Sequence, residues 1–205
     1  MRGTGPFLWL AQAGSDHGFR TLPPAGLCLS TFVFLRHEGR LLLGRMADDP
    51  AWAALAGLDA PRRAAHSHGW TLPASHLKLG EDPREAAARI VDDILGLAET
   101  RAARHLVLSE PTVHTDHGEP ARFPGLGDHF DVWFFVDARL DDADATLPTP
   151  GHYAALEWHD PRSLPRAAFA RSHDEVVDRY LSEMAPAPLA GGRVGQHAAP
   201  QNGSV

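Results

Sequence analysis

The chain has a single cysteine, Cys28, in 205 residues, so it forms no internal disulfide. Its place in the apolar run Leu27-Cys28-Leu29 marks it as a small buried hydrophobe rather than a nucleophile. The chain lacks any run of lysine and arginine and carries a formal net charge of −7, which argues against a nucleic-acid backbone as its main partner. It lacks an apolar stretch near the ~20 residues that span a bilayer. Phe7-Leu8-Trp9-Leu10-Ala11 is too short, and too weakly preceded by charge, for a good secretory signal. A soluble, cytoplasmic protein without membrane or nucleic-acid contacts is the expectation. No internal repeat is present. A chain this long holds one domain with extensions and buries a self-sufficient core.

Residues 1–26 are rich in Gly, Pro and polar residues and read as an irregular arm. Residues 185–205, rich in Pro, Ala, Gly and Gln, read as a disordered tail. Between them, Leu27–Arg36 and Leu41–Arg45 are dense in β-formers on either side of His37-Glu38-Gly39-Arg40, the pattern of a hairpin. Residues 46–69 carry Asp48-Asp49-Pro50, an Ala-rich stretch and Pro61-Arg62-Arg63, with a short helix expected over Ala51–Leu58. Further on, Arg104–Glu110 reads as a strand, Pro111–Gly127 as a loop, and Phe130–Leu140 as the strongest strand, with period-two alternation. Tyr153–His159 reads as another strand, Pro161–Pro165 as a corner and Ser172–Met184 as a helix.

The most informative stretch is Gly69–Leu97, GWTLPASHLKLGEDPREAAARIVDDILGL. Trp70, Leu72 and Leu77 anchor a strand and loop, and Gly80-Glu81-Asp82-Pro83 turns into a helix with Asp82 as N-cap and Pro83 at its first position. Ala87, Ile90, Val91, Ile94 and Leu95 recur at helical spacing, and Gly96 closes the helix. This segment resembles the Nudix box, G-x5-E-x7-R-E-U-x-E-E-x-G-U, where U is a bulky aliphatic residue. Ser75 falls at the first Gly, Glu81 at the first Glu, Arg89 at the Arg, Val91 and Leu97 at the U positions and Gly96 at the second Gly. The usual flanking W-x-L-P is present as Trp70-Thr71-Leu72-Pro73. The three helical Glu positions read instead Ile90, Asp93 and Ile94.

The resemblance implies an α/β (α+β) fold, a Nudix-type α/β/α sandwich around a mixed β-sheet over residues 27–184, with 46–69 as an insertion of the kind that forms lids or binding elements. It also implies small-molecule diphosphates as ligands and a divalent ion, Mg²⁺ or Mn²⁺, held by helical Glu residues. Positions 90, 93 and 94 are spaced i, i+3, i+4 and share a face of a regular α-helix, where three carboxylates suit a hard cation that polarises diphosphate and activates water. Two of the three are hydrocarbon here. The remaining metal candidates are Glu81, Asp93 and Asp92, the last turned roughly 100° from Asp93. Arg89 braces the box in the family, so Glu81–Arg89 also reads as a structural ion pair. Ile90 and Ile94 read either as core or as the lining of an apolar pocket for a small ligand.

Other residues offer chemistry more loosely. Among thirteen histidines, His66-Ser67-His68, His76, His114-Thr115-Asp116-His117 and His129 cluster in sequence, yet no helical H-x3-H pair or cysteine partner supports a zinc site. His129 and Asp131, two apart on one strand, suit a general base and its orienting or substrate-binding partner. Glu157 is a candidate downstream base because some family members recruit one from a late strand. His76, Lys78 and Arg45 are candidate anion contacts. Two functions follow: a divergent Nudix hydrolase cleaving a nucleoside diphosphate-linked or related organic diphosphate with Glu81, His129 and Glu157 in catalysis, or a Nudix-fold ligand-binding or regulatory module that no longer hydrolyses. Many relatives dimerise, so a homodimer stays open, although no apolar stripe marks an interface.

Overall fold

The computed structural model describes residues 27–97 except 57, 59, 67 and 79, together with 106–118, 129–140 and 152–183. The expected arm over 1–26 and tail over 185–205 lie outside these residues. Strands β1 (Leu27–His37) and β2 (Arg40–Met46) form the expected hairpin, closed by the pairs Arg36↔Leu41 and His37↔Arg40. Glu38 and Gly39 both take positive φ, 49° and 79°, and Gly39 does so without the Cβ penalty that Glu38 bears. Helices α1 (Trp52–Ala56) and α2 (Ala60–His66) follow, then the short strands β3 (Trp70–Thr71) and β4 (Ala74–His76). Helix α3 (Pro83–Arg89) continues into a wide π-type turn over Ile90–Ile94. Strands β5 (Leu106–Leu108), β6 (Thr112–Gly118), β7 (His129–Leu140) and β8 (Tyr153–His159) precede helix α4 (His173–Glu183).

All eight strands belong to one mixed sheet. Its spine is the parallel pair β1–β7, in register from Leu27↔Phe130 to Arg36↔Arg139. Strand β4 pairs antiparallel with β1, β3 with β2, β8 with the far edge of β2, and β5 and β6 both with β7. The sequence reading of 111–127 as a loop is corrected at its first half: Thr112–Gly118 is a strand. Its polar alternation Thr-Val-His-Thr-Asp-His carries little hydrophobic signal, and its place is set by seven residue pairs to β7.

Period-two alternation sends β1 and β7 side chains to two cores. On one face Val33, Leu35, Val136 and Ala138 pack with Ala87, Ile90, Val91 and Ile94 of the α3 segment. On the other, Phe32, Phe34, Trp133 and Phe135 pack with Val176, Val177 and Tyr180 of α4, where the Phe34 and Tyr180 rings stack with centroids 3.8 Å apart. This is the expected α/β/α sandwich.

Two contacts lock the entry to the box. Gly69 lies so close to the 169–170 backbone that a Cβ would sit 2.6 Å from Ala170 N and from the Phe169 carbonyl carbon. His173, fully buried at the start of α4, accepts the Leu72 backbone N–H on Nδ1 at 2.8 Å. Burial holds its pKa well below the ordinary value, and the positive charges of Arg171 and His66 push the same way. The folded state therefore keeps His173 neutral while the unfolded chain takes up a proton as pH falls through about 6.5, so stability drops with falling pH below that value. We expect a slope contribution of about 1.4 kcal/mol per pH unit from this one proton. In urea unfolding between pH 7.5 and 5.5, His173→Gln should lower stability throughout but flatten that slope. Gly69→Ala should cost about 1–3 kcal/mol by forcing the backbone at 169–170 apart, measured as a lower urea midpoint.

Candidate functional site

The box begins with β4, whose register Thr31↔Ser75 and Phe32↔Ala74 fixes it against the sheet spine. The chain leaves β4 through Leu77, whose N–H bonds Leu29 C=O at 2.9 Å, and turns at Gly80, with φ 86°. Helix α3 then starts with a full capping box: Asp82 accepts from the Arg84 and Glu85 N–H groups at 2.8 Å each, and Glu85 accepts from Asp82 N–H at 2.9 Å. Local sequence chemistry thus sets the loop-then-helix shape before any tertiary contact.

Arg89 holds this element together. Its Nε and Nη2 donate to Glu81 Oε1 and Oε2 at 2.6 and 2.8 Å, a bidentate pair with both side chains nearly buried. Nη2 also reaches His76 C=O at 2.9 Å, and Nη1 reaches Ser75 Oγ at 3.1 Å. Glu81 Oε2 accepts the Lys78 backbone N–H at 2.9 Å as well. Desolvation alone would raise the Glu81 carboxyl, but the Arg89 hydrogen bonds, the Lys78 N–H and the charges of Arg89 and Lys78 outweigh it and hold its pKa below the ordinary value. Both Glu81 oxygens thus accept hydrogen bonds inside the brace, the geometry of a structural ion pair.

The helical positions are corrected too. In a regular α-helix 90, 93 and 94 share a face, but the turn here is widened, with Leu95 N–H bonding Ile90 C=O at 3.0 Å and Leu97 N–H bonding Val91 C=O at 3.1 Å. Ile90 and Ile94 are wholly buried, while Asp92 and Asp93 are both exposed. The expected set of Glu81, Asp93 and Asp92 does not converge, and among the described residues no group of three or more His, Cys, Asp or Glu stands ready for a metal ion. A hard cation needs several oxygen ligands on one centre, and the residues at this helix do not fit one.

The remaining candidates are scattered. Asp131 is buried opposite Cys28 on the β7 face that packs toward α4, the side of the sheet away from the box helix. Burial, the Asp131 carboxylate and a hydrogen bond to it outweigh the Ser30 hydroxyl and Arg171 and push the Cys28 thiol far up, so it is an inert buried group. His129 opens β7 opposite Gly118; its side chain lies outside the described residues. Glu157 is exposed on edge strand β8, 3.6 Å from His159 and separated from β7 by β2 and β1. Glu157 on β8 is thus set apart from Asp131 on β7 by two intervening strands. Arg45 lies over the Trp70 ring, 5.3 Å from its centroid. His76 is half-buried and Lys78 exposed on the braced loop, where both remain at the surface of the box. His114 of the histidine cluster pairs with Glu183 at 2.9 Å rather than with a metal set.

Sequence reasoning missed three participants. Trp52 donates its indole N–H to His152 C=O at 2.9 Å, and His152 Nε2 bonds Ile94 C=O at the end of the wide turn. Leu55 C=O accepts from Ser75 Oγ. Only the large apolar Trp52 in an otherwise Ala-rich stretch signalled a buried anchor; no local pattern pointed to His152 or Leu55. Arg171 and Ser172, at φ 60° and 54°, were missed as well: two consecutive left-handed non-glycine residues lead into α4.

The NUDIX domain family model matches residues 28–180, and the chain belongs to the Nudix superfamily. Among solved structures, it resembles a Nudix hydrolase from M. smegmatis, RenU, with 20% identity over 80% of this chain and 89% of that one and a TM-score of 0.51. It also resembles a MutT Nudix hydrolase from Burkholderia pseudomallei, at 16% identity over 74% and 96% of the two chains and a TM-score of 0.48. A third likeness is to the E. coli dihydroneopterin triphosphate pyrophosphohydrolase, at 16% identity over 80% and 99% and a TM-score of 0.47. No curated protein matches the chain. At 20% identity the likeness to RenU speaks to the fold alone.

The brace is directly testable. Glu81→Gln leaves Arg89 nearly buried without its anion, so we expect a loss of about 3–5 kcal/mol at pH 7. In the unaltered chain the stabilisation is present above the ordinary glutamate range and is lost as pH falls through the lowered folded-state pKa. The variant should show a correspondingly weaker acid dependence below pH 4.5, followed by urea unfolding.

Proposed function

We propose that this Nudix domain binds a small organic diphosphate, such as a nucleoside diphosphate linked to a second group, without hydrolysing it by helix-borne metal chemistry. One observation carries the reading: Ile90 and Ile94, at two of the three positions where the family signature has metal-binding Glu, are fully buried in the core. The loop that approaches diphosphate in the family is meanwhile kept in shape by the Arg89–Glu81 brace, with Lys78 exposed on it and His76 beside it. A preorganised loop carrying a cationic side chain can attract an anion without any bound metal. The second reading, a divergent pyrophosphohydrolase using Mg²⁺ or Mn²⁺, is favoured by membership of a family rich in such enzymes. Asp92 and Asp93 are the exposed carboxylates it would draw on.

Calorimetric titration with ADP-ribose and related diphosphates, with EDTA and then with Mn²⁺, separates the two. We expect binding that EDTA leaves unchanged and no release of nucleoside monophosphate. Lys78→Glu should weaken that binding about three- to tenfold, in line with one exposed charge contact of about 1 kcal/mol. Metal-dependent turnover would establish the hydrolase instead, and no diphosphate binding up to millimolar concentration would remove both readings.

A further inference from the structure

Helix α1, between β2 and β3, is fastened to the box at two points. At one end Ser75 Oγ donates to Leu55 C=O while accepting from Arg89 Nη1, so α1, β4 and the Arg89 brace form one hydrogen-bonded chain. At the other, Trp52 donates to His152 C=O, and His152 in turn bonds Ile94 C=O. A carbonyl only accepts, so His152 carries its proton on Nε2 and caps the end of the helix. Between these clamps Trp52, Ala56 and Leu58 are buried in the same cluster as Ile90, Ile94, Leu95 and Leu97. The Trp52 ring packs edge-on against His152 and Tyr153, with centroids 5.3 and 5.1 Å away. The segment also closes on itself, through Leu58 N–H to Trp52 C=O at 3.0 Å and Arg63 to Asp48 at 3.1 Å.

We propose that α1, anchored by Trp52, is a permanent wall over Ile90 and Ile94, two of the three helix positions that the Nudix signature reserves for a divalent cation, not a lid that opens over them. This rests on the reading that the face holds no metal, and it explains why the two departures occur together. A carboxylate at 90 or 94 beneath this apolar wall would be a buried charge without a counter-ion. Isoleucines on an open metal face would instead be exposed hydrocarbon. Each change makes the other tolerable, so the face cannot regain a cation by restoring carboxylates alone.

Amide hydrogen exchange on the full chain tests the wall without any substitution. The expected result is that Leu55 and Leu58 amides exchange within about tenfold of the Leu95 and Leu97 amides, as parts of one cooperative unit. Exchange at Leu55 and Leu58 a thousandfold faster, with the helix still protected, would make the segment a lid and overturn the proposal. In a second arm, Ile90→Glu/Ile94→Glu is titrated with Mn²⁺ and followed by water-proton relaxation. With Trp52 in place we expect no binding at millimolar Mn²⁺ and a large loss of folded protein, and an unfolded variant agrees with that expectation. Sub-millimolar Mn²⁺ binding by a folded double variant with unchanged Leu55 protection would overturn the wall. Mn²⁺ binding by the unaltered chain would count against the metal-free reading, whereas the exchange result speaks to the wall, so the two can fail separately.

Discussion

The Arg89–Glu81 pair is the constraint on which the box depends. One guanidinium reaches the loop carboxylate twice, the backbone of β4 once and the Ser75 hydroxyl once. It thereby joins α3, the 77–81 turn and the strand docked on the sheet spine. A planar, permanently charged fork suits this task because several donors are fixed by one side chain; lysine would offer a point charge without the bidentate fit. Through Ser75 the same network continues to Leu55, so α1 hangs from the brace as well. A family frame can therefore persist while the residues that define its chemistry change, since the frame is held by this pair and by the helix cap, neither of which needs a metal.

What could be read from the sequence follows from how local the cause is. The β1–β2 hairpin is written in two apolar runs around a short turn, and the start of α3 in Asp82, Pro83 and Glu85, whose capping partners lie within three residues. Arg89 and Glu81 were legible as a pair because the family motif fixes their spacing. The wide turn was not, because apolar residues at 90, 91, 94 and 95 satisfy an α-helical period as well as the π-type turn that forms. Strand β6 was missed for a related reason: its partner strand, not its own composition, makes it a strand.

The site residues show the same division more sharply. Period-two alternation correctly put Asp131 on one strand face, but which face meets the box depends on where α3 and α4 pack, and that is a tertiary fact. Glu157 was placed on a strand correctly, yet the strand order sets it at the far edge of the sheet. Trp52 and His152 are a hundred residues apart, and their bond runs from an indole to a backbone carbonyl, which leaves no pairwise signature in side-chain chemistry.

Fold and chemistry are therefore separable in this protein, and the separation has a physical basis. A cation site asks for several carboxylates held close together, which repel one another and gain from burial only when the ion is present. Hydrocarbon at the same helix positions needs no ion and adds directly to the core, at roughly 25 cal/mol per Å² of apolar surface removed from water. Once Ile90 and Ile94 occupy those positions, an apolar cover becomes favourable in its own right, and Trp52, Ala56 and Leu58 supply it. The wide turn fits this picture, because it leaves the two isoleucines inside and both aspartates in solvent, where their mutual repulsion is screened by water. Two of the helix positions that carry metal-binding glutamates in the family signature, 90 and 94, are here part of the core.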